Sequence, residues 1–131
     1  MGFYYNIIKS KRLVYQCYTG TIEIPYFLKC TEKVSQDPDY DTKFNAIYDI
    51  RNAEVITRLA DVTKMFAFWQ KRKMLTMGKN AVITADKRST AFVMIYNSLS
   101  PQTIKVFHDL ESCFPWFNIT EEDLSKATSK K

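Results

Sequence analysis

The chain holds one histidine, His108, and Asp109 follows it directly. An imidazole beside a carboxylate suits general-base chemistry, provided a nucleophile lies within hydrogen-bond reach. No G-x-S-x-G stretch offers a serine on a strand-to-helix turn. Cys30 and Cys113 are the thiols that residue type alone would pair with His108. Neighbours at a strand end need not face each other, and no triad roles follow from the spacing. Asp37, Asp39 and Asp41 hold the first, third and fifth places of a calcium loop. Pro38 stiffens the second place, Thr42 stands where the turn needs glycine, and Tyr48 occupies the closing glutamate position. The stretch therefore reads as a solvated acidic loop.

Asp49 and Arg51 fall where an apolar run ends, and ligands of open α/β sheets gather beyond the carboxyl ends of strands. The plain alternative is an ion pair or cap that orders the following segment. Lys71, Arg72, Lys73, Lys79, Lys87 and Arg88 form a basic cluster. It spans opposite ends of one expected strand and reads as a solvated face, not a nucleic-acid surface.

Composition narrows the classes further. The chain has 131 residues, 46% hydrophobic and 25% charged, which suits one globular domain. Its three glycines, Gly2, Gly20 and Gly78, are too few and too scattered for a P-loop or a dinucleotide turn. A net charge of +5 fits an acidic partner without requiring one. Cys17, Cys30 and Cys113 are odd in number and well separated, so buried free thiols in a reducing cytoplasm are expected. No apolar run is long enough for a membrane span, and no secretory signal is read at the N-terminus. No cofactor or metal site is expected.

The elements that must position these residues follow from periodicity. Residues 3–8 and 12–18 predict a hairpin around Lys9-Ser10-Lys11, ended by Gly20. Leu13, Tyr15 and Cys17 share one face of its second strand; Val14, Gln16 and Tyr18 share the other. Pro25 opens a helix that reaches Ser35. Residues 44–50 predict a central strand covered on both sides. Residues 51–58 read as a polar connection. Leu59, Val62, Phe66 and Trp69 then mark one face of a helix reaching about Leu75. Residues 81–85 predict a strand. Asp86 caps a helix with Phe92, Ile95 and Leu99 on its inner face. A strand at 103–107 follows, then a short helix capped by Asp109 and a last turn capped by Thr120, with fraying from Ser125. Phe66 and Trp69 are expected to pack on Ile47 and Val82.

Strands alternating with helices give a single α/β domain with a mixed five-stranded sheet: an opening hairpin, then β-α repeats added in sequence. The domain spans residues 1–118, with a helical turn and frayed tail at 119–131.

This order, with Tyr18-Thr19-Gly20-Thr21-Ile22, Tyr48-Asp49-Ile50-Arg51, Val106 to Glu111 and Pro115-Trp116-Phe117, resembles the bacterial STAS-like domains, the anti-sigma-factor antagonist fold. The likeness covers about residues 3–118. It implies a non-enzymatic regulatory domain that binds a protein partner, a second copy of itself included. The lipid-carrying CRAL-TRIO domains are more distantly similar, so a carrier of a lipid or small apolar ligand is the alternative. In the partner-switching members an Asp-Ser-Ser-Gly-like stretch opens the long helix and carries a phosphorylated hydroxyl. Here the matching positions are Thr57, Arg58, Leu59 and Ala60, without the serine and glycine. Binding that needs no phosphorylation is therefore expected. The resemblance, together with the polar residues of 51–58, places the binding surface at Asp49, Arg51, Glu54, Thr57 and Arg58.

Overall fold

A computed structural model describes residues 2–56, 58–71, 78–99 and 103–125. The hairpin forms as its alternation requires. Strand β1 (Gly2–Ile8) runs antiparallel to β2 (Leu13–Glu23), with Gly2 opposite Thr19 and Ile8 opposite Leu13. A 3-10 turn at Lys9–Lys11 joins them. Arg12 closes it in the left-handed region at φ 52°, its N–H donating to the Lys9 carbonyl at 3.1 Å.

Helix α1 (Ile24–Ser35) starts with Pro25 in its first turn, where a missing N–H costs nothing. Strand β3 (Asn45–Ile56), helix α2 (Leu59–Lys71), strand β4 (Asn80–Ile83), helix α3 (Lys87–Leu99) and strand β5 (Ile104–Phe107) follow. The Asp86 carboxylate caps α3, accepting the Ser89 N–H at 2.7 Å. The strands lie in sequence order, β1-β2-β3-β4-β5, and β2 to β5 are parallel. The mixed five-stranded sheet is thus the one expected.

Right-handed crossovers between neighbouring parallel strands carry α1, α2 and α3 to a single face. Tyr18, Ile22, Tyr48 and Val82 meet the helices there. The other face holds Leu13, Tyr15, Cys17, Ile47, Ala81 and Ile83. It is covered by a 3-10 turn at Glu111–Cys113 and the short helices α4 (Phe114–Phe117) and α5 (Glu121–Ser125). Cys113, Phe117, Ile119 and Leu124 are its buried contacts. Asp109 and Thr120 cap as expected: Asp109 accepts the Ser112 N–H at 2.8 Å, and the Thr120 hydroxyl accepts the Asp123 N–H at 3.3 Å.

Four expectations need correction. Gly20 does not end β2; it stays in the strand at φ 83°, a backbone state glycine adopts without strain, and β2 continues to Glu23. Residues 51–56 are not a connection but the second half of β3, because Ala53 and Val55 turn inward in strand alternation and Thr19–Glu23 supply a partner. Helix α3 buries Ser89, Phe92 and Tyr96, leaving Ile95 43% and Leu99 61% exposed. The apolar run from Phe92 to Tyr96 has no phase of its own, so packing selects the stripe. Ile47 lies on the sheet face opposite Trp69, since it belongs to the layer under α4 and α5. Tyr48, one residue on, faces the helices instead. Arg72 and the expected end of α2 near Leu75 lie outside the described residues, as do Ser100–Gln102 and the stretch from Lys126 onward.

Candidate functional site

The second halves of β2 and β3 outrun the rest of the sheet. Strand β4 pairs with β3 only up to Asp49, opposite Ile83, and β1 reaches β2 only at Thr19. Thr19–Glu23 and Asn52–Ile56 therefore continue as a two-stranded ribbon. A register shift marks its root: Cys17 is opposite Asp49, but Thr19 is opposite Asn52. One extra residue on β3 makes this a β-bulge, which switches the side to which the later residues point. Asp49 and Arg51 consequently share a face with Asn52 and Glu54. Thr19, Thr21, Glu23, Asn52 and Glu54 are all exposed there, while Ile22 and Ala53 are buried behind them.

A buried charge pins the root. Asp49 is 2% exposed. Its carboxylate accepts Arg51 Nε at 2.9 Å on Oδ1 and Arg51 Nη2 at 2.7 Å on Oδ2. The Arg51 backbone N–H adds 3.2 Å to Oδ1, and the Tyr15 hydroxyl donates to Oδ2 at 2.6 Å. Burial alone would raise the Asp49 carboxyl, but the hydrogen bonds from Arg51 and Tyr15 outweigh it and hold its pKa below the ordinary value. The bond to Asp49 pushes the Arg51 pKa up, and burial does the same for the Tyr15 phenol. A carboxylate so supplied with donors is a structural anion and a poor proton acceptor.

The expected site residues thus divide. Asp49 and Arg51 are brought together as a clamp, and Arg51 is one-third exposed. Glu54 lies on the same face further out. Arg58 is exposed where the chain enters α2, its carbonyl accepting the Asp61 N–H at 2.9 Å. Thr57 lies outside the described residues. Tyr15, the third member of the clamp, escapes sequence reading because its nearness to Asp49 depends on strand register.

The other candidate groups have structural partners. His108 Nδ1 lies 3.5 Å from Thr84 Oγ1 and 3.3 Å from the Thr84 carbonyl. Asp109 accepts the Ser112 N–H and hydroxyl on Oδ1, and among the described residues it makes no hydrogen bond with His108. All three cysteines are buried. Cys113 donates to the Leu110 carbonyl at 3.0 Å, and burial raises its pKa to about 11. Burial likewise raises Cys17 and Cys30. Asp37 accepts the Tyr5 hydroxyl and the Asp39 N–H, and Asp41 accepts the Lys43 N–H, so the acidic loop is a pair of tight turns.

A comparison with solved structures finds an uncharacterized protein of the DUF3478 family from Shewanella loihica PV-4, described as having a SpoIIAA-like fold. The two share a TM-score of 0.58 and 15% identity over 80% of this chain and 83% of that one. The chain has a SpoIIAA-like fold. This is the STAS arrangement that the sequence resembles. No family model matches the sequence, and no curated protein matches it. In this SpoIIAA-like domain, no helix among the described residues is long and apolar enough to cross a membrane.

Proposed function

We propose that this SpoIIAA-like domain is a non-enzymatic regulatory module that binds a protein partner through the β2–β3 ribbon. The carrying observation is the ribbon itself: a paired two-stranded extension with a polar exposed face, rooted by a bulge and a buried ion pair. Rigid elements present contact residues at low entropic cost. The exposed charges suited to contact are Glu54 and Arg58, neither of which has an ion-pair partner among the described residues. Arg51 holds the frame. The non-catalytic reading draws support from the saturated Asp49, the protonated thiols and the separate partners of His108 and Asp109.

The test is affinity capture from the native host with wild-type chain and with Glu54→Lys/Arg58→Glu, both checked for equal melting. A partner captured by the wild type should be lost by the double variant. A partner retained unchanged, or none captured by the wild type after cross-linking, refutes the ribbon as the contact surface.

A further inference from the structure

Between the sheet and α1, α2 and α3 lies a cavity of about 90 Å³, partly open to solvent. The back of the ribbon, Ile22 and Val55, forms part of its wall, and the exposed ribbon face and the Asp49 clamp lie on the other side. Among the described residues, five aromatic rings line it, Phe27, Tyr48, Trp69, Phe92 and Tyr96, and no Asp, Glu, Lys, Arg or His is in its wall. The Ser89 and Asn80 donors in its wall are already used, and the Tyr48 hydroxyl is engaged by Gln16. Ser89 Oγ donates to Asp86 at 3.0 Å, and Asn80 Nδ2 donates to the Gly78 and Thr103 carbonyls at 3.1 and 3.3 Å. A carboxylate or ammonium entering here would lose its hydration without a partner, which excludes charged ligands.

Size sets the second limit. An apolar cavity of roughly 150 Å³ stays dry and accepts benzene, whereas drug-sized ligands ask for roughly 300 Å³ or more. The enclosed space is well short of what a lipid chain needs, and a single ring requires its open side and the pliable Met65 thioether in its wall to adjust. Edge-to-face and offset contacts with the surrounding rings favour an aromatic occupant over an aliphatic one. We propose that this cavity is a binding site for a small uncharged aromatic molecule of a single ring.

The probe is fluorobenzene, titrated into the full chain and followed by fluorine NMR and by amide shifts. Binding should saturate, and the amide shifts should cluster on α2, α3 and β4. Val93→Phe, which fills the cavity from α3, should weaken binding about tenfold or more while melting normally. Should that variant fail to fold, Val93→Ala enlarges the same space and should bind toluene more tightly than the wild type does. Benzoate should not bind. Absence of saturation up to the solubility limit, equal binding by folded Val93→Phe, unchanged toluene binding by Val93→Ala, or benzoate binding as well as fluorobenzene would each overturn the assignment.

Discussion

Arg51 lays its guanidinium side-on against the carboxylate of Asp49, two residues earlier on the same strand, with both bonds within 2.9 Å. Residues at i and i+2 of a strand share a face, so the pair needs no tertiary coincidence. What makes it unusual is burial on the Asp49 side, at the point where the bulge redirects β3. The clamp ties the packed sheet to the projecting ribbon.

Arg51→Ala leaves this anion with Tyr15 as its one side-chain donor. Breaking a fully buried pair costs about 3–5 kcal/mol, and Arg51 is one-third exposed, so a loss of about 2–3 kcal/mol is expected in urea melts. Asp49→Asn should show the pH signature. The folded pKa lies below the ordinary value, so the clamp's contribution is present above the unfolded value of about 4 and disappears as pH falls through the folded one. The stability gap between wild type and Asp49→Asn should be flat above about pH 5 and narrow below about pH 4. A gap that persists unchanged at low pH would show that Asp49 is not held ionised.

The thiols give a second test. Burial of Cys17, Cys30 and Cys113 and their raised pKa values predict slow reaction with a thiol-specific disulfide reagent at neutral pH in the native state. Denaturant should release all three. A native cysteine that reacts as fast as a free thiol would reopen the nucleophile reading and count against the non-catalytic proposal.

The sequence revealed the strand order and helix order because each element carries its own period or cap: Pro25, Asp86, Asp109 and Thr120 all act where their types suggest. It concealed the ribbon because Arg51, Asn52 and Glu54 look like loop composition. Their strand character comes from Ala53 and Val55 pairing with Gly20 and Ile22, a contact between segments more than thirty residues apart. For the same reason Asp49 and Arg51 could be read as a pair, but Tyr15 could not. The cavity was equally hidden, since it is defined by which stripe of α3 packs inward, and five successive apolar residues from Phe92 to Tyr96 leave that choice to the tertiary structure.

Strand alternation supplies the last prediction. Trp69 is 4% exposed and packs with Val62, Met65, Phe92 and Tyr96. Truncation to alanine should cost about 3–5 kcal/mol. Ile47 is fully buried on the opposite face, among Tyr15, Ala81, Ile83 and Cys113. Among the described residues the two share no buried neighbour, so Trp69→Phe and Ile47→Val should add to within about 0.5 kcal/mol in a double-mutant cycle. Phe27 meets Trp69 edge-on at 6.3 Å between centroids, and Phe27→Leu with Trp69→Phe should depart from additivity by about 0.5–1.5 kcal/mol. If Ile47 couples to Trp69 and Phe27 does not, the facing of β3 is inverted. The cavity would then lose the Tyr48 wall on which the ligand proposal depends.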